Sequence, residues 1–181
     1  FSEDGRYLAS VAKDREPRLW NLEKGTIRRV LRKHEGDTYG VAFSPKDTVL
    51  AISEGKVINL WSPGTAAEKK KITGHKHVIS AVDFSPRSLS RTLASGGFDW
   101  TIRLWNTGTG TERKRMVGHR GGVRSIRFSP SGESLVSGGD DTIVKVWSVV
   151  TGSTLMDLEG HQGAVTAVAF SPNGHLIASG S

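Results

Sequence analysis

One set of residues recurs along almost the whole chain at intervals of 41 to 44 residues. A Phe-Ser pair opens each copy, at Phe1, Phe43, Phe84, Phe128 and Phe170. A tryptophan follows late in the copy, at Trp20, Trp61, Trp105 and Trp147. A histidine precedes the next copy, at His34, His75, His119 and His161. Three markers that keep one spacing indicate a repeated structural unit, which buries its apolar faces by stacking on its neighbours.

Each unit reads as four short antiparallel strands. Apolar segments such as Val123 to Phe128 end at Ser-Pro, where proline cannot donate to a ladder. A turn such as Ser131-Gly132 then leads into a second strand. A third strand alternates towards the tryptophan, as in Thr101 to Trp105, and a more charged fourth strand follows, as in Thr111 to Val117. No segment has sustained helical periodicity.

The motifs at the two ends of the unit resemble the WD40 repeat. The matching residues are Gly74-His75, Gly118-His119 and Gly160-His161 at one end, and Leu104-Trp105-Asn106 and Val146-Trp147-Ser148 at the other. The resemblance covers essentially the whole chain. It implies an all-β propeller built of four-stranded antiparallel blades whose polar outer strand faces water.

We expect residues 1–181 to form one propeller segment. The repeat units are predicted at about 1–42, 43–83, 84–127 and 128–169, with a partial unit at 170–181. They supply the last three strands of one blade, three whole blades and the first two strands of another, which makes an incomplete ring. Because rings of this family usually need about seven blades, we expect a fragment of a larger propeller. The alternative is self-association of two chains into a closed ring.

The composition narrows the classes of protein that remain. The chain has no cysteine, which excludes disulfides, thiolate metal sites and cysteine nucleophiles. No apolar run reaches the roughly 18 residues that span a bilayer, so we expect no membrane association. The lack of cysteine and of a signal-peptide pattern favours an intracellular location, in the cytoplasm or nucleus.

The net charge of +7 raises the question of nucleic-acid binding. Short basic clusters stand at matching points of three units: Arg28-Arg29, Lys69-Lys70-Lys71 and Arg113-Lys114-Arg115. No Lys or Arg follows Lys145. The pattern favours solvated outer strands, and binding of nucleic acid through them is the alternative.

Each unit also contains His, Ser and Asp, the residue types of a hydrolase triad. The resemblance implies a structural hydrogen-bond network instead, formed by His75, Ser95, Asp99 and Trp105 in one unit and by His119, Ser137, Asp141 and Trp147 in the next. The serines lack the GxSxG elbow of a nucleophile, and an active site would occur once rather than in every copy. We therefore predict no enzyme activity, no catalytic or metal-binding residue and no cofactor.

Two units depart from this pattern. Gly55 stands where the aspartate of the second unit is expected, and Lys33 replaces the glycine before His34. We expect that unit to lack its network and to be less stable by about 1–3 kcal/mol. Pro17 in the first unit removes a ladder donor and predicts an irregular third strand.

The residues that differ between copies are the candidates for partner binding. In the family, the loops before the inner strands and the turns between second and third strands form the binding face. The predicted contact residues there are Arg15, Lys76, His77, Phe98, Trp100, Arg120, Asp140 and Gln162. Phe98 and Trp100 are read either as apolar anchors for a partner or as local packing against the next loop.

The favoured function is a non-catalytic scaffold that binds other proteins or peptides on this face, as part of a larger multidomain protein. Its cations Arg15, Lys76 and Arg120 favour acidic segments. The alternatives are a nucleic-acid-associated propeller and the regulatory part of an enzyme or nucleotide-switch protein whose catalytic domain lies outside this chain.

Overall fold

A computed structural model gives the structure of the chain and describes residues 1–12, 14–31, 35–45, 49–86 and 91–181. Lys33 and His34, two residues on which the predictions drew, lie outside the described residues.

The described residues form five antiparallel sheets. The first contains β1 (Tyr7–Ser10), β2 (Arg18–Asn21) and β3 (Thr26–Val30). The second contains β4 (Thr38–Phe43), β5 (Leu50–Glu54), β6 (Val57–Trp61) and β7 (Glu68–Thr73). The third contains β8 (Ile79–Phe84), β9 (Thr92–Gly97), β10 (Thr101–Asn106) and β11 (Glu112–Val117). The fourth contains β12 (Val123–Phe128), β13 (Ser134–Gly139), β14 (Val144–Ser148) and β15 (Thr154–Leu158), and the fifth contains β16 (Ala167–Phe170) and β17 (Ile177–Gly180).

The strands of every sheet pair in chain order, and the first strands β4, β8, β12 and β16 lie against one another. This is the arrangement of propeller blades around a common axis. The predicted all-β fold of four-stranded antiparallel blades is confirmed, and the sheets that the structure describes do not close into a ring. Among the same residues no helix is both long and apolar enough to cross a bilayer.

Neighbouring blades are held together by a repeated apolar contact. The buried clusters of Trp61, Trp105 and Trp147 contain Leu31, Ile72 and Met116 of the preceding blade, respectively. Leu158 takes the corresponding position in the fourth sheet, where it is 39% exposed against 1% for Met116. The fifth sheet has two described strands and so no third-strand tryptophan to cover Leu158.

The third strand of the first blade is short. β2 begins at Arg18, directly after Pro17, and has four residues where β10 has six. Pro17 lies before the strand, so the residues from Arg18 to Asn21 still pair with β1 and β3, with one register shift towards β3 between Leu19 and Trp20.

Candidate functional site

In the third blade, four side chains form one hydrogen-bonded network across two strands, the loop before β8 and the turn between β9 and β10. Trp105 Nε1 donates to Ser95 Oγ at 2.7 Å, and Ser95 Oγ lies 2.7 Å from His75 Nε2. His75 Nδ1 lies 2.9 Å from Asp99 Oδ2, which also accepts the backbone N–H of Lys76 at 2.8 Å. These hydrogen bonds therefore join the loop before β8 to the turn between β9 and β10.

The fourth blade repeats this geometry almost atom for atom. Trp147 Nε1 lies 2.8 Å from Ser137 Oγ, and Ser137 Oγ lies 2.7 Å from His119 Nε2. His119 Nδ1 lies 2.8 Å from Asp141 Oδ2, which accepts the N–H of Arg120 at 2.8 Å.

Burial and hydrogen bonding determine the protonation of His75 and Asp99 in the network of the third blade. It lowers the pKa of His75 below its usual 6.5, and the charge of Asp99 only partly offsets the effect. Burial also opposes ionisation of Asp99, yet the Lys76 N–H, the Thr101 hydroxyl and His75 hold the pKa of that carboxyl at about 2. A neutral imidazole that donates from Nδ1 to a carboxylate leaves Nε2 to accept from the serine hydroxyl.

The order Ser–His–Asp matches a hydrolase triad, but the surroundings do not. Ser95 and Ser137 are completely buried, and each hydroxyl already accepts a bond from an indole N–H. A nucleophile must reach a substrate carbonyl, and these oxygens face the interior of the blade. The burial of both serines argues against a nucleophile, and the structural role of the network stays a prediction.

A further polar residue recurs beside the networks, and sequence reasoning missed it. It stands two positions before the tryptophan on the third strand, half-buried as Arg18 and buried as Asn59, Arg103 and Lys145. Arg103 bonds Glu112 Oε2 at 2.7 Å and lies 3.5 Å from Asp99 Oδ2. The signal was its recurrence on the strand face that also carries the buried tryptophan.

The second blade differs from the prediction. Glu54 Oε1 accepts the N–H of Glu35 at 2.7 Å, and Glu54 Oε2 accepts Asn59 Nδ2 at 2.5 Å. Glu35 corresponds to Lys76, so Glu54 supplies the carboxylate that Gly55 cannot. The register also places Ile52 opposite Asn59, where Ser95 stands opposite Arg103. Glu54 thus fixes the loop of this blade from another position, while the expected absence of the full network and the expected loss of stability stay predictions.

Phe98 packs between two blades. A Cβ on Gly122 would lie 2.3 Å from Phe98 Cδ1, so the ring lies directly against the loop before β12. The guanidinium of Arg124 lies 5.5 Å from the Phe98 ring centroid, and the His77 ring meets it edge-on at 6.1 Å. Arg124 in turn pairs with Asp140. Of the two readings of Phe98, the structure supports local packing.

Arg15 is also engaged within the chain. Its Nη1 donates to the carbonyl of Glu35 at 2.9 Å, and its Nε donates to Asp37 Oδ1 at 3.2 Å. These bonds join the first blade to the loop of the second. The Arg15 guanidinium is therefore already occupied by a carboxylate.

The side chain of Trp100 is 55% exposed, in contrast to the Phe98 ring, which packs against the next blade. Trp100 follows Asp99 in the turn and adopts the left-handed conformation with φ of +66°, as Thr142 does after Asp141 with φ of +65°. The left-handed conformation costs a non-glycine residue about 1–3 kcal/mol, and the hydrogen bonds of the surrounding turn must offset this cost. The turn thus holds a large aromatic ring out from the surface.

Lys76 and Arg120 lie on the loops before β8 and β12, respectively. Their backbone N–H groups are fixed by Asp99 and Asp141, while both side chains are exposed and make no hydrogen bond or ion pair within the described residues. Gln162 is likewise exposed in the loop before β16, two sheets away from Trp100. Lys76 lies on the loop that is bonded to the Trp100 turn, and Arg120 lies on the loop that Phe98 contacts at Gly122. We call Lys76, Trp100 and Arg120 the Trp100 surface.

Asp83 is a further titratable group, on the inner strand β8. Burial raises the pKa of its carboxyl to about 6, although the Phe128 N–H, 2.7 Å away, and the charge of Arg127 oppose the shift. The folded pKa lies above the ordinary 3.8, so this group's stabilisation is complete below about pH 4 and is lost as the pH rises through 6.

We expect Asp83→Asn to be more stable than the wild type at pH 8 by about 1–2 kcal/mol, allowing for solvent screening at this half-buried side chain. The amide oxygen still accepts from Phe128, and no charge is buried. Urea unfolding at pH 8 and pH 5 measures the difference, which should shrink at pH 5. An equal difference at both pH values would contradict the assignment.

These sheets and networks define a blade-repeat protein of the propeller class. The family model for the WD domain, G-beta repeat, matches residues 25–62, 67–106, 110–148 and 152–181. The matches cover most of the chain, which belongs to the WD40 repeat family.

The chain is similar to short parts of longer curated proteins and spans less than a fifth of the length of each. Protein HIR1 of Kluyveromyces lactis is 28% identical over 120 residues, which are 57% of this chain and 14% of that protein. The transcriptional corepressor LEUNIG_HOMOLOG of Arabidopsis thaliana is 33% identical over 91 residues, 48% of this chain and 11% of that protein. Lissencephaly-1 homolog 1 of Paramecium tetraurelia is 36% identical over 66 residues, 36% of this chain and 16% of that protein. The family and these relatives support a protein-interaction scaffold in general terms.

Proposed function

We propose that this chain is a non-catalytic scaffold that binds a partner protein or peptide at the Trp100 surface. The observation that carries the proposal is the exposure of Trp100, 55%, on a turn whose backbone is fixed by the buried network beneath it. A rigid exposed aromatic ring loses little conformational entropy on binding, and such residues are frequent hot spots of interfaces.

The charges at the junction favour a partner segment with acidic side chains. Lys76 lies on the loop of the same blade, and Arg120 lies on the loop of the next blade, which Phe98 contacts through Gly122. The nearby Arg124 is paired with Asp140, so the cations left for a partner are those of Lys76 and Arg120 among the described residues. An acidic residue next to an apolar one would meet both features of the surface.

Selection from a random peptide library on the immobilised protein tests the proposal. We expect enrichment of peptides that combine Asp or Glu with a large apolar residue. Trp100→Thr should weaken their binding at least about tenfold, roughly 1.4 kcal/mol. Thr142 already occupies the equivalent backbone position, so this change leaves the turn intact.

Val150→Ala is the matched control, because Val150 is a 77% exposed apolar residue on the hairpin between β14 and β15. It should leave peptide affinity unchanged. Peptides that bind the Trp100→Thr variant as tightly as the wild type would refute the proposed surface. A titration in rising salt should weaken binding through Lys76 and Arg120.

A further inference from the structure

The basic residues of the outer strands occupy one repeated position. Arg29, Lys70 and Lys114 each stand two residues before the buried Leu31, Ile72 and Met116. Because successive side chains alternate across a strand, residues two apart share a face, and here that face is turned towards the next blade. The cation therefore lies at the outer end of each contact between neighbouring blades.

In all three junctions the cation bonds a backbone carbonyl of the next blade. Arg29 Nη1 donates to the carbonyl of Thr65 at 3.3 Å. Lys70 Nζ donates to the carbonyl of Gly108, and Lys114 Nζ donates to the carbonyl of Val150. Each acceptor lies in the hairpin between the third and fourth strands of the following sheet. We call these three hydrogen bonds the rim contacts.

Two of the three hairpins leave space for the lysine stem, whereas Ala66 stands at the corresponding position of the hairpin between β6 and β7. Gly152 has a φ of +80°, and a Cβ there would lie 2.5 Å from Lys114 Cδ. Gly110 has a φ of +83°, and a Cβ there would lie 3.1 Å from Lys70 Cδ. The lysine stems thus pass over the space that a side chain would fill, and a glycine meets both the backbone and the steric requirement.

Other cations of these strands have partners within their own sheet. Arg115 lies 3.3 Å from Glu112, Arg113 bonds Thr92 Oγ1 at 3.2 Å, and Arg28 lies 4.3 Å from the ring centroid of Tyr7. These contacts do not reach the next blade, which distinguishes them from the rim contacts. In the fourth sheet Met156 occupies the rim position, and no cation stands there.

We infer that the cations at the rim position are interblade positioning residues, which fix the angle between adjacent blades from the outer edge. A charge-assisted bond to a carbonyl is stronger than a neutral one, and its acceptor here is part of a rigid turn. Packing between blades thereby explains one cation in each of the first three outer strands. The inference is independent of partner binding at the Trp100 surface.

Thermal unfolding of Lys114 variants tests this role. Lys114→Met keeps the aliphatic stem and removes the ammonium, and we expect the Tm to fall by about 2–4 °C. Lys114→Arg should keep the wild-type Tm, since arginine makes the same kind of bond at Arg29. Lys24→Met is the control for loss of a lysine charge, because Lys24 is exposed and its side chain has no partner among the described residues.

A double-mutant cycle distinguishes the rim contact from a general effect of charge. Gly152→Ala should lower the Tm through both the backbone conformation and the collision with Lys114. In a Lys114→Ala background the collision is absent, so the Tm loss caused by Gly152→Ala should be clearly smaller. Equal losses in both backgrounds, or a Lys114→Met variant as stable as Lys24→Met, would overturn the inference.

Discussion

Replacement of Trp147 by alanine is expected to lower the free energy of unfolding by about 3–5 kcal/mol. The indole is 1% exposed, belongs to the cluster that covers Met116 of the preceding blade, and donates to Ser137. Its removal opens a cavity at a blade junction and leaves a buried hydroxyl without its donor. Urea unfolding followed by far-UV circular dichroism measures the loss.

Two variants separate the causes of this loss. Trp147→Phe retains most of the apolar volume and removes the N–H, so it should cost only about 1–2 kcal/mol. Trp100→Ala is the matched control, because the same substitution at an exposed ring opens no cavity. A loss in Trp100→Ala as large as that in Trp147→Ala would contradict the packing described for the junction.

Asp99→Ala is expected to lower the free energy of unfolding by about 2–4 kcal/mol at pH 7. The carboxylate accepts from the Lys76 N–H, from the Thr101 hydroxyl and from His75, and all three donors lose their partner in the variant. Asp140→Ala is a suitable control, because Asp140 is also a turn aspartate but makes an exposed ion pair with Arg124.

The Asp99 effect should depend on pH in a defined direction. The folded pKa of about 2 lies below the ordinary 3.8, so the stabilisation is present above about pH 4 and is lost as the pH falls towards 2. The wild type and Asp99→Ala should therefore converge as the pH falls from about 4 towards 2. A stability difference that stays constant over this range would show that the carboxylate is not responsible.

The repeated parts of the fold were predictable because the same Phe, Trp and His residues recur at one spacing in the units. The strand order, the turns and the family resemblance follow from the spacing of Phe84, Trp105 and His75 and their counterparts. The hairpin between β5 and β6 was not predictable in the same way. It is shorter, so Ile52 takes the serine position and Glu54 reaches the loop from a different point on the chain.

Contacts between copies were also beyond the reach of sequence spacing. The choice between an anchor and local packing for Phe98 depended on how close Gly122 approaches, which no periodicity reveals. The basic outer strands raised the alternative of nucleic-acid binding. The carbonyl partners of Lys70 and Lys114 in the next blade became evident only from the packing, and they weigh against that alternative.

The exposure of Trp100 has a consequence for optical spectroscopy. The chain has five tryptophans, of which Trp61, Trp105 and Trp147 are buried and Trp20 is half-buried. An aqueous quencher such as iodide should therefore reach the indole of Trp100 first. The change in quenchable fluorescence on adding a ligand would report occupancy of this ring directly, without an attached dye.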